Sequence, residues 1–174
     1  MKVVVISGSP RSNSKTQHMM RFAYERAVER NGGATFINLA DGGIDYFRGY
    51  DVEYSETTKQ AAKDITAADV WLIGVPIYNS FFSAAFKNLF EFVSYKETAG
   101  KAAGLAIMAA GDIGFTDVQT LTTQLMSYFR VITNPKAVYM KSDMIDGTEV
   151  SDLGARERLT EMVDGTLDLA SKIR

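Results

Sequence analysis

The chain has 174 residues, 46% hydrophobic and 23% charged, with a formal net charge of −2 at pH 7. These values suit one globular domain, residues 1–174, with a sizeable core, and give no global attraction to nucleic acid or an anionic membrane; neither is expected as a partner. The absence of cysteine excludes disulfides, thiolate catalysis and cysteine-ligated metal, and the single histidine, His18, leaves imidazole-rich metal sites and Ser-His-Asp triads poorly supported.

The first apolar run, MKVVVISG, is too short for a signal peptide, and no run approaches membrane-spanning length, so a cytoplasmic location is expected. KVVVISG does not alternate polar with apolar, which predicts a strand buried on both faces. A helix is predicted from about Ser14 to Arg30, with Thr16, Met20, Ala23 and Ala27 on one stripe and Asn31–Gly33 ending it. ATFINLA follows as a strand. A glycine-rich loop spans Asp41 to Tyr54, then a helix from about Ser55 to Ala67. DVWLIGVP reads as a strand, SFFSAAFKNLFEFVSY as a helix, AAGLAIMAAG as a strand, Thr116–Arg130 as a helix and KAVYM as the fifth strand. In the last helix Leu159, Met162, Val163, Thr166, Leu169, Ala170 and Ile173 share a stripe. Strands separated by helices of this length predict a parallel sheet with right-handed crossovers and helices on both faces.

Ligands of such folds sit at the carboxyl ends of the strands, where the strand order reverses. The loops after Ile6, Val75 and Ala109 are therefore the ones to inspect. The first, GSPRSNSKT, leads into a helix N-terminus, whose unpaired amides and dipole favour a phosphate. Ser9, Ser12, Ser14 and Thr16 add hydroxyls, and Arg11 can donate a bidentate pair. The spacing is not that of a Walker loop, because Lys15 lies one residue too far from Gly8 and Ser14 replaces the second glycine. Pro10 breaks the dinucleotide pattern, a phosphatase loop would need a cysteine, and a response-regulator receiver would need carboxylates here. A serine-rich helix cap with a solvated arginine is the other reading of this loop. In the second loop, Pro76 fixes the backbone angle as the chain leaves the sheet, so residues 77–80 face the strand ends, where a flat heterocycle could stack.

The two stretches GSPRSNSKT and ADVWLIGVPIYNSFFSAAFKNLFEFV together resemble the NAD(P)H-dependent FMN reductase family of the flavodoxin-like fold. KSDMIDGTEVSDLGARERL is similar to that family's acidic loop before its final helix. The resemblance implies a doubly wound five-stranded parallel sheet in the order 2-1-3-4-5. It places the FMN phosphate on Ser9, Arg11, Ser14, Lys15 and Thr16, and the isoalloxazine against Pro76, Ile77, Tyr78, Asn79 and Ser80. It implies NAD(P)H as co-substrate and a small-molecule electron acceptor such as a flavin or quinone. The third loop, AAGDIGF, departs from the family's glycine-rich run. Gly111 and Gly114 retain freedom for close backbone approach, and Asp112 stands either near the flavin pyrimidine edge or in solvent.

In this chemistry the cofactor carries the hydride, so no single catalytic side chain is required and none is assigned. His18 is read as a surface or capping residue. A flavodoxin-type electron carrier without nicotinamide turnover, and a nucleotide-binding module without redox work, are the competing classes. Projected at about 100° per residue, Phe82, Phe86, Leu89 and Val93 share the sheet-facing stripe. Phe81, Ala85 and Phe92 lie on one flank and Phe90 on the other. So broad an apolar arc, with the family's habit of pairing through this helix, implies a homodimer or homotetramer.

Overall fold

The computed structural model describes residues 1–173. β1 (Val3–Ser7) is fully buried and lies between β2 (Thr35–Asn38) and β3 (Val70–Pro76), with β4 (Ala102–Ala109) beyond β3. All of these pairings are parallel: Val4 sits opposite Thr35 on one side and Trp71 on the other, and Val70 opposite Ala102. With β5 (Ile132–Thr133) beyond β4, the order β2-β1-β3-β4-β5 is the one expected. Alternate residues serve opposite faces. Val3, Val5 and Leu72 pack with α1 (Lys15–Asn31) and α5 (Leu153–Ile173), through Met19, Met20, Ala23, Leu159 and Met162. Val4, Ile6, Trp71 and Ile73 pack with α2 (Glu56–Ala67), α3 (Ala84–Glu91) and α4 (Phe115–Tyr128), through Ile65, Phe86, Leu89 and Met126. Two covered faces are why the central strands read as unbroken apolar runs.

The fifth sheet position departs from the expected single strand. It is split into β5 (Ile132–Thr133), paired with Ala102–Ala103, and β6 (Val138–Lys141), paired with Ala106–Ala109. The chain leaves the sheet at Asn134–Pro135, where proline lacks the N–H that a ladder needs. Asn134 anchors the detour: its backbone N–H donates to the Ala103 carbonyl at 2.7 Å and its amide to Thr166 Oγ1 at 3.1 Å. After β6 the acidic segment folds into an antiparallel hairpin, β7 (Ile145–Asp146) and β8 (Glu149–Val150), turning at Gly147 with φ 54°.

The helix after β3 is shorter than the pattern predicts. Ser83 caps it by accepting the Phe86 N–H at 3.0 Å, and residues 78–81 form a separate turn. Phe86, Leu89 and Val93 face the core as expected. Of the flank residues, Phe81 is exposed, whereas Phe90 and Phe92 are packed against the chain itself. Phe90 packs on Trp71 and Phe129, and Phe92 meets Phe47 and Tyr54 of the 41–54 loop edge-on at 5.5 and 4.8 Å. That loop is fastened to α2 and α3 through Asp45, which accepts from Ser55 N–H (2.7 Å) and Thr58 Oγ1 (2.9 Å), and through Asn88, which accepts from Phe47 N–H (2.9 Å). Phe92 is therefore part of an intrachain aromatic cluster. Among the described residues no helix is long and apolar enough to cross a membrane.

α1 and α5 are cross-linked by Arg26, which donates to both Asp164 oxygens at 2.9 and 2.6 Å. The hydrogen bond from Arg26 holds the Asp164 carboxyl below its usual range. An Asp pKa lower in the native state than the unfolded value of about 3.9 contributes stability above that value, lost as pH falls through the native pKa. Asp164→Asn is expected to cost about 1 kcal/mol at pH 7, half-buried as the pair is, with the deficit shrinking as pH drops below about 4. Urea titrations of the two proteins across pH measure it.

Candidate functional site

The loop from Gly8 to Ser14 leaves the carboxyl end of β1 and is held at several points. The Gly8 N–H donates to the Gly74 carbonyl at 2.8 Å, and the Ser83 hydroxyl donates to the Gly8 carbonyl. Ser9 is buried; its hydroxyl pairs with the Tyr78 hydroxyl at 2.9 Å and accepts the Arg11 N–H at 3.3 Å. Tyr78 thus ties the second loop to the first. Asn13 adopts φ 52°, a left-handed conformation asparagine tolerates better than most residues. Ser14 is the N-cap of α1, accepting the Gln17 N–H at 3.1 Å. No acidic residue lies in the first turn of α1, so nothing offsets the positive end of its dipole.

Between this loop and the ends of β3 and β4 lies a cleft of about 390 Å³. Arg11, Ser12, Asn13, Ser14, Lys15 and Thr16 form one wall; Pro76, Ile77, Tyr78, Met108, Ala109, Ala110 and Ser142 form the other. One wall carries donors and positive charge; the other is largely apolar. A larger hollow, about 590 Å³, opens at the amino end of the sheet beside Lys2, Gly32 and Ala68. There α1 and α2 present their C-termini, the negative ends of their dipoles, so the strand-carboxyl cleft is the one suited to an anion.

Of the residues singled out from the sequence, Arg11, Ser14, Lys15, Thr16, Pro76, Ile77 and Tyr78 meet in this cleft. Four do not line it. Ser9 is buried behind the loop, Asn79 and Ser80 sit at an exposed turn tip, and Gly111 is exposed beyond Ala110. The tip is a two-residue turn with Asn79 at φ 50° and Ser80 at φ 67°, closed by reciprocal bonds between Tyr78 and Phe81 at 2.7 and 3.0 Å. Both central residues are in the left-handed region without being glycine, as a hairpin turn of the I′ kind demands. Lys15 turns its ammonium to the carbonyls of Ile145 (2.9 Å) and Gly147 (3.4 Å), so it buttresses the β7–β8 hairpin. Asp112 faces solvent, its side chain 82% exposed, and pairs with Lys141 at 3.2 Å. That hydrogen bond, with the charges of Asp112 and Asp143, pushes the Lys141 ammonium above its usual range.

His18 corrects the sequence reading: it is buried, not a surface residue, and its Nε2 lies 2.8 Å from Asn13 Oδ1. Burial first, and then the charge of Lys15, hold its pKa below the ordinary value. Ser12, whose hydroxyl the sequence also offers to a phosphate, lines the cleft, and Asn13, Met108, Ala109, Ala110 and Ser142, which the sequence reading does not single out, complete it.

A parallel sheet in this order, with a donor-rich loop after the first strand and an apolar wall across the switch point, defines a flavodoxin-like α/β protein. Residues 1–144 match the family model described as NADPH-dependent FMN reductase, and the chain belongs to that family. It is 23% identical over 167 residues to an NADH-dependent FMN reductase of Pseudomonas putida, covering 94% of this chain and 90% of that one. It is 28% identical over 158 residues to an NADPH azoreductase of Bacillus sp. (strain OY1-2), covering 87% and 80%. Among solved structures, the fold is shared with the flavoenzyme NAD(P)H:(acceptor) oxidoreductase FerB of Paracoccus denitrificans, at TM-score 0.76, 22% identity and coverage of 98% and 97%.

Proposed function

We propose that this chain is an FMN-dependent NAD(P)H oxidoreductase that passes hydride from a nicotinamide to FMN and on to a small acceptor, a flavin, quinone or similar molecule. The observation that carries the reading is the two-sided cleft: an uncompensated helix N-terminus with Arg11 faces an apolar wall of Pro76, Ile77 and Met108. The donor set fits FMN, whose phosphate needs N–H and O–H donors and whose ring needs a flat apolar surface. Arg11, Ser12, Asn13, Ser14 and Thr16 would hold the phosphate. Pro76, Ile77, Tyr78 and the 108–110 backbone would hold the ring, with Ser9 fixing Tyr78. When bound, FMN supplies the hydride-accepting centre, and the protein's part is binding, orientation and exclusion of water.

The test is an FMN titration of the apoprotein followed by NADH and NADPH oxidation with flavin and quinone acceptors. FMN binding without nicotinamide oxidation would instead make it an electron carrier. Arg11→Ala removes a bidentate donor and a full charge from the anion wall. It is expected to weaken FMN binding at least about tenfold, equivalent to about 1.4 kcal/mol. An unchanged dissociation constant in a normally folded variant would remove Arg11 from the site.

Self-association as a homodimer or homotetramer is part of the proposal. It is supported by Tyr50 and Tyr128, which stand exposed beside a groove of about 230 Å³ lined by Phe90, Val93, Leu125 and Phe129 together with the Lys87–Glu91 ion pair. Light scattering at micromolar concentration should give a multiple of the chain mass; a monomer's mass would end this part of the reading.

A further inference from the structure

The phosphate wall contains one residue whose side chain is held from behind. Asn13 lines the cleft, and its Oδ1 is taken by the imidazole of His18, on the first turn of α1, at 2.8 Å. An amide oxygen only accepts, so Nε2 of His18 carries the hydrogen and donates. This sets the polarity of the Asn13 amide. The oxygen is turned inward onto the imidazole, and no described residue takes the hydrogens of Nδ2. An acceptor at position 18 would do the reverse, leaving the amide oxygen to face the ligand and repel an anion.

The placement of His18 makes this arrangement firm. His18 as a whole is 8% exposed. Its open side meets a small hollow of about 300 Å³ shared with Arg21, Glu25, Thr148, Glu149 and Arg156. Burial and the nearby Lys15 keep the imidazole neutral at pH 7, with one N–H to give. The bond also spans from α1 back to the one loop residue in a left-handed conformation, φ 52°, and helps hold that turn.

We propose that His18 is a positioning residue of the phosphate loop: by donating to Asn13 Oδ1 it fixes the loop turn and presents the Asn13 NH₂ group to the phosphate of the cofactor. This rests on the reading of the cleft as an FMN site. Titrations of FMN and of riboflavin against the same apoproteins test both. The wild type should prefer FMN strongly. His18→Leu, which keeps bulk and loses the donor, should raise the FMN dissociation constant about tenfold and leave riboflavin within about twofold. His18→Gln, which can donate at the same reach, should recover FMN binding to within about threefold of wild type. Asn13→Gly should resemble His18→Leu, and the double variant should bind FMN no worse than the weaker single one, because both remove one interaction.

Unchanged FMN affinity in His18→Leu, or an equal loss for riboflavin, would overturn the proposal while the phosphate reading stood. So would a His18→Gln protein as weak as the leucine variant, or additive effects in the double variant. A wild type that binds the two flavins equally would overturn the phosphate reading and this inference with it. Should His18→Leu fail to fold, the glutamine and Asn13→Gly proteins carry the comparison.

Discussion

Riboflavin is expected to bind the apoprotein at least about a hundredfold more weakly than FMN, a difference of about 3 kcal/mol. The two ligands share the ring and ribityl chain, so the apolar wall of Pro76, Ile77 and Met108 contributes equally to both. Only FMN engages the other wall. There the first turn of α1 offers amides with no acidic side chain to occupy them, and Arg11 adds a fork of donors. A hydrogen bond to a charged group contributes roughly 1.5–3 kcal/mol, so losing two accounts for the expected ratio even after solvent screening at an exposed rim. Fluorescence titrations in one buffer measure both constants. The preference should narrow as salt rises, because part of it is charge attraction in a wall open to water. Equal constants would mean that the serines only cap α1 and that Arg11 is solvated, the other reading of this loop.

What the sequence discloses is largely what neighbouring residues decide. The unbroken apolar runs of β1, β3 and β4 follow from burial on both faces, and the stripes of α1 and α5 from a single helical period; both are readable from spacing. The switch-point loops follow from the order of elements, which is why Arg11, Ser14, Thr16, Pro76, Ile77 and Tyr78 emerge together. Long-range partners are not written in spacing. Nothing near Lys15 announces that its ammonium reaches Ile145 and Gly147, more than 100 residues on. Phe92 reads as a free flank until Phe47 and Tyr54 arrive from a loop without periodicity. His18 lies on the border of the α1 stripe, beside buried Met19, and only the left-handed turn at Asn13 brings its partner back to it. Pro135 is a local signal of a different kind: a proline after Val131–Asn134 marks the break that divides the fifth strand position.

Gly8→Val is expected to destabilise the protein by about 3 kcal/mol, a fall of roughly 6–12 °C in Tm for a chain of this size, and to abolish measurable FMN binding. A Cβ at Gly8 would lie 2.8 Å from the Gly74 carbonyl oxygen and 3.2 Å from Phe86 Cδ2. Neither neighbour has room to yield. The Gly74 oxygen already accepts the Gly8 N–H at 2.8 Å, at the last register pair of β1 and β3, so moving it parts the two strands where they form the site. Phe86 is fully buried, with Phe82 and Phe90 at ring-centroid distances of 5.4 and 4.8 Å. The Ser83 hydroxyl, which caps α3, also donates to the Gly8 carbonyl, so a shift of Gly8 loosens the start of α3 and the Tyr78–Ser9 contact with it. The damage is thus local to the junction on which the cleft depends, and binding should fail before the fold does. Gly33→Ala is the control: nothing lies within 4 Å of its would-be Cβ, and stability should stay within about 0.5 kcal/mol of wild type. Thermal melts and FMN titrations of both variants decide the matter. A Gly8→Val protein with wild-type Tm and affinity would show that β1, β3 and α3 do not meet as closely as the cleft requires.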